Sequence, residues 1–135
     1  IYTKKIQIEA RVLGDLALNH IVPVASRYQS VLLDKVYKMK QLFPQDKLEA
    51  LTGSDMQTIE SIAAHITEIE NGVAEMVRAR KVANKICGER EKAVAYHDTV
   101  AVFFDRIRYH IDKLELIVDD ELWALPKYRE MLFLR

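Results

Sequence analysis

The sequence predicts an all-α fold: an antiparallel up-down-up bundle of three long helices, the first kinked at Pro23, with a short C-terminal helix folded back. Three observations predict it. Apolar residues recur three and four positions apart through most of the chain, which is the helical rhythm. Only four Gly and three Pro occur among the 135 residues, and several fall where that rhythm breaks. No stretch alternates apolar and polar residues as a half-buried strand does. Residues 1–135 therefore read as a single helical domain, with 43–53 as a connecting loop and 123–135 as a docking tail.

The first helical stretch runs from Thr3 to Leu42 through Ile6, Leu13, Leu16, Ala17, Val24, Tyr28, Val31, Leu32, Val36, Met39 and Leu42. Pro23 lies inside it, and its ring and missing N–H predict a kink or a division there. Asn19 and His20, one turn earlier, are placed to satisfy backbone groups that such a kink frees. Pro44 and Gly53 mark the first connection, and Ser54 followed by Gln57 fits a capping box opening the second helix. Ile59, Ile62, Ile66, Ile69, Val73 and Met76 then form a heptad-like stripe that Arg80 interrupts and Ala83 resumes. Gly88 is the expected left-handed cap of that helix. From Glu89 the third stretch carries Ala93, Tyr96, Val100, Phe103, Ile107, Ile111, Leu114, Val118 and Leu122. At 1.5 Å per residue each rod is roughly 45 to 60 Å long, so the three match in length.

The closing "DDELWALPKYREMLFLR" holds the chain's one Trp and a dense apolar run. Residue 125 precedes a proline and is pushed toward an extended backbone, so the third helix is expected to end between Leu122 and Ala124. Pro126 suits the first turn of a new short helix. Tyr128, Met131, Leu132 and Leu134 can form its inner side, with Trp123 at the corner and Phe133 adding further apolar surface. That surface calls for burial, within the bundle or across a subunit contact. Asp119, Asp120 and Glu121 oppose the dipole at a helix C-terminus and need compensation, from Lys35, Lys38 and Lys40 or from another domain.

Composition narrows the function. Half the residues are hydrophobic and 30% are charged, as in globular domains. Twenty basic and twenty acidic side chains cancel, which offers no general pull toward nucleic acid. No apolar run approaches the roughly 20 residues of a membrane span. The single cysteine, Cys87, has no partner for an internal disulfide. The start at full helical stride, without Met or cap, reads as a piece of a longer protein.

A search for chemistry returns little. His20, His65, His97 and His110 share no ligand-like spacing with one another or with Cys87. Glu68 follows His65 by three residues, the reverse of the Glu-x-x-His order of di-iron bundles, so solvated carboxylates are the simpler reading of Glu60, Glu68, Glu70 and Glu75. Neither phosphate loops nor nucleophile elbows are present. Phe103 and Phe104 are adjacent and point about 100° apart, so one belongs to the seam and the other, with Tyr96 and Tyr109, to a second apolar face. That face is expected to be covered by the folded-back tail or by another domain or subunit.

Two stretches, "LGDLALNHIVPVASRYQSVLLDKVYKMKQLF" and "RYHIDKLELIVDDELWALPKYREMLFLR", closely resemble the C-terminal region of type III glutamine synthetases, the large form of Bacteroides-like bacteria. "MVRARKVANKI" and "YHDTVAVFFDRIRYHID" resemble the same family's linking helices, so the likeness spans essentially the whole chain. Ala124 stands where the family commonly has proline. The resemblance implies a parent enzyme that makes glutamine from glutamate and ammonia with ATP and Mg²⁺ or Mn²⁺. It implies a cytoplasmic double-ringed dodecamer, with the catalytic motifs upstream and Arg135 as the native C-terminus. No catalytic, cofactor-binding or metal-binding residue of the family maps onto this chain. The implied role is a structural module contacting the catalytic domain of the same polypeptide and neighbouring subunits. A free-standing bundle that binds a partner helix or small ligand is the alternative.

Overall fold

The computed structural model describes residues 2–118. Three antiparallel rods make up these residues. The first joins α1 (Tyr2–Leu16) through a π-helical turn (Ala17–Ile21) to α2 (Val22–Leu42). The second is one 40-residue helix, α3 (Gln45–Asn84). The third joins α4 (Glu89–Ala95) through a second π-turn (Tyr96–Val100) to α5 (Val102–Ile117). Among the described residues all regular structure is helical.

Pro23 leaves its expected mark one turn ahead of itself. The N–H of Val22 bonds to the carbonyl of Ala17, five residues back, so the ladder widens just before the residue that cannot donate. The extra residue in the turn also re-registers the buried face. Leu13, Ala17, Ile21 and Ala25 follow in four-residue steps and all are buried, a spacing that drifts off one face of a straight α-helix but fits a π-turn. Asn19 and His20 do not serve the freed backbone groups. Asn19 Nδ2 donates to Asp15 Oδ1 at 2.6 Å, and His20 Nε2 lies 3.8 Å from Asp15 Oδ2.

The 43–53 connection shrinks to Phe43 and Pro44. Phe43 is extended, as the residue before a proline should be, and its N–H bonds to Met39 O at 2.9 Å. Pro44 caps α3, with Asp46 in the first turn where a negative charge favours the dipole. Ser54 is therefore mid-helix rather than a cap, and its carbonyl accepts from Thr58 Oγ1. Tertiary packing overrides the local signal: Thr52 is buried, its hydroxyl donates to Leu48 O at 2.6 Å, and one mid-helix Gly53 costs only about 1 kcal/mol.

Gly88 is not a left-handed cap. Its φ of −75° and ψ of 132° are extended, and it opens α4 with Glu89 and Glu91 in the first turn. The third rod ends earlier than expected. Val118 leaves α5 with ψ 140°, its N–H bonded to Leu114 O, so the helix stops at Ile117 rather than between Leu122 and Ala124.

The core is a seam along all three rods, including Ile62, Ile69, Val73 and Met76 from α3 and Ile107, Ile111 and Leu114 from α5. Tyr96, Val100 and Phe104 belong to it, again in four-residue steps across a π-turn. Val31 and Leu42, expected inside, are exposed.

Candidate functional site

Side-chain chemistry concentrates between α3 and α5. The two rods are antiparallel, so residues nearly equidistant from Gly88 along the chain meet. His65 Nδ1 lies 2.9 Å from His110 Nδ1, with the rings tilted and 5.1 Å apart. One imidazole must donate and the other accept for that contact to be a hydrogen bond, so it requires at least one neutral ring. One turn along, Arg106 bridges two carboxylates of α3: Nη1 donates to Glu75 Oε2 at 2.9 Å, and Nη2 to Glu68 Oε2 at 3.3 Å. Glu68 also lies 3.9 Å from His110 Nε2. Tyr109 meets His110 edge-on, and Lys113 sits 5.3 Å from the Tyr109 ring.

Burial pushes both imidazoles below their ordinary value of 6.5. His110 and Lys113 add to the depression at His65, while at His110 the Glu68 carboxylate raises and Arg106 lowers. Burial also raises the Asp112 carboxyl, against the lowering influence of Arg108. Asp112 Oδ1 is buried without a hydrogen-bond partner among the described residues.

These directions give a pH prediction. With folded-state values below 6.5, the native state binds fewer protons than the unfolded chain just below that pH. The stabilisation is complete above 6.5 and is lost as pH falls from there through the folded values. Asp112 works oppositely: the native state binds the extra proton, so its penalty grows as pH rises from 3.8 through the raised value. Thermal melts of the chain should show Tm dropping on acidification below 6.5, and the double variant His65→Gln, His110→Gln should flatten that limb. An unchanged slope in the variant would remove the pair as its cause.

Chemically the cluster works as a clamp. The two ring nitrogens that face each other are occupied by each other, and Arg106 occupies the nearest carboxylates. Among the described residues, no group of three or more His, Cys, Asp or Glu is arranged to hold a metal ion. His97 pairs with the adjacent Asp98, and Cys87 is exposed at the turn before α4. A hollow of about 260 Å³ lies between α1 and α3, lined by Gly14, Leu18, Val73, Met76, Arg11 and Arg80 among others.

The expected structural residues divide into two sets. Pro23 follows the first π-turn and is half-buried. Phe104, assigned to the second apolar face, is the buried member of its pair, whereas Phe103 of the expected seam is half-buried against the core. The second π-turn is the reason, because it carries the seam forward by four from Val100 to residue 104. Tyr96 is also covered by the bundle itself, with its hydroxyl donating to Asn84 Oδ1. Trp123, Pro126, Tyr128, Met131, Leu132 and Phe133 lie outside the described residues, as do Asp119, Asp120 and Glu121. Lys35, one of the suggested partners of those acids, pairs with Asp55 at 3.1 Å. Sequence reading missed the His65–His110 contact, which joins residues 45 positions apart and depends on the register of α3 against α5.

A family model described as "Glutamine synthetase C-terminal domain" matches residues 1–40. The chain is 48% identical over 132 residues to a "Glutamine synthetase" of Bacteroides fragilis (strain YCH46), covering 98% of this chain and 18% of that protein. It is 25% identical over 135 residues to a "Type-3 glutamine synthetase" of Dictyostelium discoideum, covering 100% of this chain and again 18% of the relative. The chain thus spans less than a fifth of the length of either.

Proposed function

Because this chain is homologous to the C-terminal domain of type III glutamine synthetases, we propose that it is a non-catalytic structural module of such an enzyme. The observation that carries the reading is the 48% identity along 98% of the chain. The parent activity is the ligation of L-glutamate and ammonia, driven by conversion of ATP to ADP and phosphate, with ATP and a divalent metal held by another part of the polypeptide. The bundle contributes a rigid body against which that part and neighbouring subunits of a cytoplasmic dodecamer pack, without nucleic acid or membrane partners. Exposed Ile8 and Val12, four apart on α1, are suited to such a contact. The use of Arg106, Glu68, Glu75 and the histidine pair in holding α3 to α5 agrees with a bracing role.

The test is an assay of the purified chain with ATP, glutamate, ammonia and Mg²⁺. It should give a helical far-ultraviolet spectrum and a cooperative melt, with neither phosphate release nor glutamine formation. Turnover that persists through stringent purification would overturn the assignment.

A further inference from the structure

The three rods do not end together. On α3, residues 51, 55, 58, 62, 65, 69 and 72 follow in four- and three-residue steps and share one face. The contacts of His65 with His110, and of Gly72 with Ile107, show that this face looks toward α5. With α5 ended at Ile117, Leu51 and Asp55 continue the face past the last turn of the third rod. Across from them, the Lys35–Asp55 ion pair sets the α2 face of Val31, Lys35, Lys38 and Leu42 beside the same line. The result is a gutter between α2 and α3 where a third helix would run. Its apolar residues stand open: Val31 is 53% exposed, Leu42 78% and Leu51 42%.

We propose that this gutter is the seat of the chain's own last segment, residues 119–135. Three features select that occupant. Val118 is 3% exposed and leaves α5 with an extended backbone, at the end of a rod that runs antiparallel to α3. Seventeen residues follow, enough as a helix for about 25 Å, while the hairpin arm of α2 beyond Leu32 holds ten residues, about 15 Å. Charge is complementary at Lys38: Asp119, Asp120 and Glu121 come first and Lys38 flanks the gutter, where Lys35 is already paired with Asp55. Trp123 and the apolar residues after it then cover Val31, Leu42 and Leu51. Tyr96 and Phe104 of the second apolar face are already inside the bundle, and Tyr109 is the member of that face left open, 55% exposed. The seat is formed within one chain and does not depend on the enzymatic reading above.

Trp123 is the chain's one Trp, so its fluorescence reports the tail alone. In the full chain its emission should be blue-shifted, resistant to acrylamide and unchanged on dilution. Leu42→Glu and Leu51→Glu, both at exposed positions, should shift it to the red and raise quenching several-fold with the helical spectrum intact. Ile8→Glu, on α1, should leave it unchanged. Three results would overturn the proposal: a solvated Trp123 in the unaltered chain, protection that survives both gutter substitutions, or protection lost on dilution. The last would make a second copy the occupant.

Discussion

Tyr96→Ala should destabilise the chain by about 3 to 5 kcal/mol, the range for removing a large buried ring. Tyr96 is fully buried in the second π-turn, where α1 and α3 both pack against it. The turn's widened ladder carries the seam from Tyr96 to Val100 and on to Phe104, so the cavity would open where the three rods meet. Tyr96→Phe separates ring from hydroxyl. It removes only the bond to Asn84 Oδ1, worth about 0.5 to 1.5 kcal/mol, and Asn84 is exposed enough for water to replace the donor. Urea denaturation of the two variants should therefore give well-separated midpoints. Equal, small losses would mean the ring is not the keystone of that end of the bundle.

Ile107→Ala comes next, with an expected loss of about 2 to 5 kcal/mol. Ile107 is fully buried and approaches α3 where Gly72 offers no side chain. A Cβ built on Gly72 would stand 3.1 Å from Ile107 Cγ1, closer than packed carbons prefer. Gly72→Ala therefore gains up to about 1 kcal/mol of helix propensity but overpacks a side chain with no room to turn, at a cost of about 1 to 3 kcal/mol. We expect a net loss. In the double variant the new methyl enters space that Ile107 has vacated, so the combined loss should be smaller than the two single losses added. A double-mutant cycle measures this coupling directly, and additivity would show that the two positions do not press on each other.

The rhythm of apolar residues was enough to place three rods, because a helix that must bury one face repeats it every three or four residues whatever it packs against. It failed at both turns. Ser54 with Gln57 is a good local start signal, yet α3 is capped by Pro44 and begins at Gln45, with Thr52 buried and its hydroxyl bonded within the helix to Leu48 O. Gly88 looks like a cap, but the chain turns there in an extended conformation. Only the first π-turn was legible in part, since Pro23 predicts a fault in the first rod. The expected seam omitted Ile21 and took Phe103, whereas the structure buries Ile21 and Phe104 in four-residue steps from Ala17 and Val100. No proline marks the second fault, so its only trace is that spacing.

By itself, then, the sequence determined the helical class, the number of rods, their antiparallel order and the likeness to the C-terminal part of a glutamine synthetase. Those follow from local periodicity and from residue identity, which are properties of the chain before it folds. Tertiary structure alone decided the pairing of His65 with His110, the bridge from Arg106 to Glu68 and Glu75, and the depth to which each rod runs. Such contacts join residues some thirty to forty-five positions apart, and their register depends on a turn's length and a ladder's slip. A shift of one residue rotates a helix face by about 100°, so small local faults decide which distant side chains meet.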